Sequence, residues 1–187
     1  MLQLDIEKAW LLNTRHCPSP NVDERPVGSV IDLLVIHGIS LPPCQFGGRF
    51  IDDLFLNQLD IQADAYFPPL QNLQVSAHCC INRLGEITQY VSFQKRAWHA
   101  GISHFAGRNR CNDFSIGIEL EGCEKIVYTD AQYQALIQLT QVLQRAFPAL
   151  NDMGRIVGHG DIAPERKSDP WAVFDWERYK QGLLRTD

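Results

Sequence analysis

The stretch "DLLVIHGI", residues 32–39, decides how the rest of the chain is read. Its apolar residues run consecutively instead of alternating, as expected for a central strand buried on both faces. The run closes on His37 and Gly38. Working outward, "SIGIELEG" (115–122) alternates: Ile116, Ile118 and Leu120 face one way, and Ser115, Gly117, Glu119 and Glu121 the other. "RIVGHGD" (155–161) supplies a further short strand, expected to end at His159. "SAHCCINRLGEITQYV" (76–91) has two β-rich runs around a turn at Leu84-Gly85, the pattern of a hairpin.

Helical spacing appears between the strands. In "TDAQYQALIQLTQVLQRAF" (129–147), Leu136, Leu139, Val142, Leu143 and Phe147 share one face, and Thr129 with Gln132 makes a capping-box pattern. "FDWERYKQGLLR" (174–185) and "RFIDDLFLNQL" (49–59) are further candidates. Strands alternating with helices place the chain in the α/β class: one domain over residues 1–187, with a central mixed β-sheet flanked by helices. The Pro- and Gly-punctuated stretch 40–75 exceeds a normal connection, and such stretches often act as lids or binding loops.

Bulk properties narrow the function. The chain has 187 residues and a net charge of −5, with no basic block, so nucleic acid and an anionic membrane surface are not expected partners. No apolar run reaches the roughly 20 residues that span a bilayer. The segment "MLQLDIEKAWLLNTRH" mixes charges into its apolar residues, unlike an export signal, so a cytoplasmic location is expected. The six cysteines (17, 44, 79, 80, 111 and 123) include no CxxC pair and are therefore expected to be reduced and structural. Cys79 and Cys80 are neighbours in a strand and point to opposite faces.

Of the six histidines, His37 and His159 stand apart because each closes a predicted buried strand. That edge is where open α/β sheets bind ligands. The second of them opens the loop "VGHGDIAPERKSDP" (157–170), whose turn residues let Asp169 fold back toward it. Two imidazoles and a carboxylate, with no thiolate, suit a catalytic Zn²⁺ whose fourth position stays open for water. The same set suits a non-haem Fe(II) oxygenase, but there the second histidine follows the H-x-D pair, and no histidine follows 159. Glu119, on the polar face of its strand, is the candidate general base. Lys167 is placed to offset charge on an oxyanion. Glu121 reads as a solvated carboxylate.

The motifs "LLVIHGISLPP" with "FGG", "VSAHCCINRLGEITQYV", "KRAWHAGIS", "RCNDFSIGIELEG", "YTDAQYQAL" and "GHGDIAPERKSDP" run in order over nearly the whole chain. In them the protein resembles the zinc amidases that cut N-acetylmuramyl-L-alanine bonds. The resemblance implies a zinc site at the sheet's edge, with His37, His159 and Asp169 as ligands, Glu119 as catalytic glutamate and Lys167 as transition-state lysine. It implies an anhydro-muropeptide substrate met in cell-wall recycling, held by Trp98 and Arg110; a monomer is expected. Two positions depart from the family. Gly38 stands where asparagine is frequent and Gln74 where arginine is frequent, so restoring either residue is expected to tighten substrate binding if these positions line the pocket.

Two rivals frame that reading. A non-catalytic muropeptide-binding module predicts a missing metal ligand, and none is missing. A broad amidase on intact murein calls for an export signal, which this sequence does not display.

Overall fold

The run at 33–39 becomes the second strand of a six-stranded sheet. The protein, seen here as a computed structural model, is described over residues 2–185. In chain order the strands are β1 (Arg15–His16), β2 (Leu33–Ile39), β3 (Cys79–Ile81), β4 (Ile87–Gln89), β5 (Ser115–Glu121) and β6 (Ile156–Gly158). They lie in the order β6-β2-β5-β3-β4-β1. The first four of that order are parallel, β4 returns antiparallel to β3, and β1 runs parallel to β4. The sheet is mixed and flanked by helices, as expected.

Alternation along β2 sends its side chains to two different cores. Leu34 and Ile36 join Ile116, Ile118 and Leu120 of β5 against the helices α2 (Asp130–Ala146) and α4 (Trp176–Leu184). Leu33 and Val35 pack on the other face against Ala100, Cys111, Phe114 and Ile162. All four β2 residues have no exposed surface, and each such burial contributes roughly 1.5–3 kcal/mol. Cys79 and Cys80 likewise separate to opposite faces.

Helix α2 starts where the capping box places it. Gln132 N–H donates to Thr129 Oγ1 at 3.1 Å, and Thr129 N–H donates to Gln132 Oε1 at 3.1 Å. Loss of such a cap typically costs about 0.5–2 kcal/mol. Within 40–75 the helical pattern condenses to α1 (Phe50–Phe55).

Three expectations need correction. Cys44 and Cys123 form a disulfide across 79 positions, while Cys17, Cys79, Cys80 and Cys111 stay free. The long segment returns Cys44 beside the end of β5, with Cα atoms 5.2 Å apart, a proximity that spacing along the chain does not reveal. Glu121 is buried at 4% exposure and accepts from the backbone N–H of Gly47 and Arg83, because β5 is an interior strand roofed by those segments. Finally, β6 stops at Gly158, and His159 opens the short helix α3 (His159–Ile162).

Candidate active site

Three parallel strands deliver the site at their carboxyl ends. His37 follows Leu33 and Val35 on one face of β2, and Glu119 lies beside it in register on β5. On the other side of β2, β6 ends at Gly158 and hands the chain to His159. The loop after α3 then folds back, with Gly160 N–H donating to the Asp169 carbonyl at 2.9 Å. A Cβ at Gly160 would lie 3.3 Å from both Lys167 O and Ser168 Cα, so a bare backbone suits this return. Arg166 ties the same loop to the next one by donating to the Ala100 and Ile102 carbonyls.

The result is a tight cluster. His37 Nδ1 lies 2.9 Å from His159 Nδ1 and 3.4 Å from Asp169 Oδ2, and the last two atoms are 3.2 Å apart. All three residues are buried, at 1%, 4% and 7% exposure. Burial holds His37 neutral, pushing its pKa down to about 4 against the pull of Asp169. Burial acts the other way on Asp169, but its contacts with the His159 and His37 rings prevail and hold the carboxyl well below its usual range.

Do these residues fit a metal ion? His159 Nε2 faces the Ala100 carbonyl at 3.4 Å, and a carbonyl only accepts. As a metal ligand, His159 would keep its proton on Nε2, toward that carbonyl, and turn its Nδ1 lone pair to the cluster. Lone pairs crowded together need a cation between them. A tetrahedral zinc with ligand bonds of about 2.0–2.1 Å sets its ligand atoms roughly 3.3–3.4 Å apart, close to the spacings here. The donor set fits.

Glu119 is half-buried, and its Oε2 is buried without a hydrogen-bond partner. Burial pushes its carboxyl well above the usual range, repulsion from Asp169 adds to this, and the nearby Lys167 charge opposes it. Lys167 itself is exposed at the rim. Around the cluster opens a cavity of about 670 Å³, walled on one side by Leu41, Tyr66, Leu70 and Leu73 of the long segment and bordered by Trp98 and Trp171.

The sequence-predicted residues divide. His37, His159, Asp169, Glu119, Lys167, Gly38 and Trp98 all border or underlie this cavity. Arg110 lies in a neighbouring depression that shares Trp98, and its guanidinium is 3.4 Å from Asp113. Gln74 is exposed and lines a separate groove beside Leu73. Gly38 has a steric reason: a Cβ there would meet the Trp171 ring at 2.3 Å and the Tyr128 hydroxyl at 2.5 Å. Sequence reasoning missed Tyr128, Trp171, Arg166 and His99. Only His99 left a signal, as a histidine set among small and apolar residues in "KRAWHAGIS".

The chain is similar to known proteins in sequence and in fold. Residues 27–172 match the family model described as N-acetylmuramoyl-L-alanine amidase. The 1,6-anhydro-N-acetylmuramyl-L-alanine amidase AmpD of Haemophilus influenzae is 55% identical over 175 residues, covering 94% of this chain and 95% of that protein. A crystal structure of a selenomethionine AmpD derivative superposes with TM-score 0.92 at 53% identity, covering 96% of this chain and 98% of that one. The E. coli amidase AmiD, in complex with the substrate anhydro-N-acetylmuramic acid-L-Ala-D-γ-Glu-L-Lys, has TM-score 0.60 at 30% identity, covering 97% of this chain and 65% of that one. With its match to the family model spanning most of its length, the chain belongs to the N-acetylmuramoyl-L-alanine amidases.

Proposed function

We propose that this protein is a zinc-dependent amidase that hydrolyses the amide between the lactyl group of 1,6-anhydro-N-acetylmuramic acid and L-alanine, acting on muropeptides in cytoplasmic cell-wall recycling. The observation that carries the reading is the convergence of His37 Nδ1, His159 Nδ1 and Asp169 Oδ2 beside the unpartnered carboxylate of Glu119. His37, His159 and Asp169 hold the metal, and Gly38 N–H steadies Asp169 Oδ2 from 3.4 Å. When bound, zinc supplies Lewis acidity at neutral pH.

The remaining steps belong to side chains. Glu119 takes a proton from the attacking water and delivers it to the amide nitrogen as the C–N bond breaks. Burial raises its pKa, which makes the ionised carboxylate a stronger proton acceptor than an ordinary glutamate. The Lys167 ammonium offsets negative charge as it grows on the carbonyl oxygen. Trp98 offers a flat face to the sugar. Arg110, reached past Trp98, offers a fork to a peptide carboxylate.

The experiment is hydrolysis by purified protein of anhydro-muropeptide beside intact murein, with metal analysis of the same sample. Release of the peptide from the anhydro sugar, with about one zinc per chain, is expected. Full activity in metal-free protein overturns the mechanism, and preference for intact murein overturns the substrate.

A further inference from the structure

We propose that the dipeptide His99-Ala100 is a clamp that fixes the tautomers of both imidazole ligands, with His99 as a positioning residue for His37. The inference rests on the metal reading above and concerns how this chain prepares the site.

The proton positions follow from acceptors that have no choice. Ser115 Oγ lies 2.6 Å from the Cys111 carbonyl, which only accepts, so the hydroxyl donates its one proton there. The hydroxyl oxygen also faces His99 Nε2 at 3.1 Å, so that nitrogen must be the donor. Among the described residues no carboxylate touches the His99 ring, and a buried imidazolium without a counter-charge is costly. The neutral ring then has a bare Nδ1. This atom lies 2.9 Å from His37 Nε2, which must donate to it. His37 is left with its Nδ1 lone pair aimed at the cluster. Ala100 does the same for His159 through its carbonyl.

The clamp is itself held. Asn112 Oδ1 accepts from the backbone N–H of both His99 and Ala100, at 3.1 and 2.8 Å. One side of the His99 ring lies against Gly117 of β5, where a Cβ would come within 2.4 Å of Cγ and 2.5 Å of Nδ1. Glycine is required there for space, because any side chain would displace the ring. Outer-sphere partners of metal-bound histidines commonly alter metal affinity by 10–100-fold. A neutral histidine in that role works only if its own tautomer is set, and Ser115 sets it.

The test reads tautomers and zinc affinity. In the zinc-loaded full-length protein, ¹⁵N ring shifts should show His37 and His99 both protonated on Nε2. His99→Phe, which keeps a ring but removes the acceptor, should weaken zinc binding about 10–100-fold in competition with a chromophoric chelator. His99→Gln, which restores an acceptor oxygen, should recover much of that loss. Ser115→Ala should mix the tautomers of both rings. Parental zinc affinity in His99→Phe overturns the clamp, as does a proton on His37 Nδ1 in the parent. His37→Ala and His159→Ala serve as controls: zinc retained by both overturns the metal reading and the clamp together. Zinc lost from both but kept by His99→Phe overturns the clamp alone. Should His99→Phe fail to fold, the ring shifts of the parent decide.

Discussion

His37 and Glu119 are register partners on adjacent parallel strands, so a metal-ligand candidate and the base candidate stand side by side on one face of the sheet. Neither is placed by a flexible loop. Each is held by the ladder between β2 and β5 and by apolar residues on the opposite face of both strands. A carboxylate set this way owes its position to the strand ladder and not to a bond with the metal. The two roles are therefore separable by mutation.

Glu119→Gln should retain zinc and lose about 10²–10⁴-fold in kcat, the range for a missing general acid–base. Lys167→Ala should also retain zinc and lose about 10²–10³-fold. Metal analysis beside single-turnover rates checks both, and near-normal turnover in Glu119→Gln would place the base elsewhere.

Alanine at His37, His159 or Asp169 should remove zinc and activity together. The parent should also show a thermal midpoint that rises with free zinc, because an ion that binds only the folded state stabilises it by mass action. A midpoint indifferent to chelator and zinc would contradict a folded-state metal site.

Acid should destabilise the zinc-free protein over a defined window. Burial pushes His37 down to about 4, and burial with the Arg25 charge pushes His78 down to about 3, from an ordinary value of 6.5. Below 6.5 the unfolded chain takes protons that the folded one refuses, so stability falls with pH until the folded groups titrate. The expected loss is about 1.4 kcal/mol per pH unit for each such histidine. Urea midpoints between pH 7 and 4.5 measure it. A flat profile would mean that these rings are protonated in the fold.

Gly38→Asn should destabilise the protein and weaken substrate binding, against the expectation drawn from the family. The Trp171 ring and Tyr128 hydroxyl already fill the space an asparagine side chain would take. Overpacking of this kind costs about 1–3 kcal/mol. Denaturant melts and kcat/KM on anhydro-muropeptide decide, with a tightened KM at parental stability counting against it. Gln74→Arg, in a separate groove, should leave kcat/KM unchanged.

Cys44→Ser or Cys123→Ser should lower stability by about 2–4 kcal/mol, as expected for opening a long cross-linked loop. Mass analysis of the native protein under alkylating conditions checks the bond itself, and six modified thiols would rule it out.

Local pattern was enough to read the strands at 33–39 and 115–121, the capped helix after Thr129 and the hairpin around Gly85. Each expresses a period of 2 or 3.6 or a turn residue, which are properties of neighbours in the chain. The cluster of His37, His159 and Asp169 was legible because His37 lies near the carboxyl end of β2, His159 directly follows β6, and Asp169 lies on the turn-rich loop beyond it. Everything that depended on distant segments meeting was decided by tertiary structure. Cys44 finds Cys123 only once the 40–75 segment has wrapped. Glu121 is buried because that same wrapping covers the polar face of β5. Gly38 is small because Trp171 and Tyr128 arrive from far along the chain. His99 touches His37 across 62 positions, through a space that only Gly117 leaves open. Periodicity tells a side chain which face to take; which partner waits on that face depends on how the connections close.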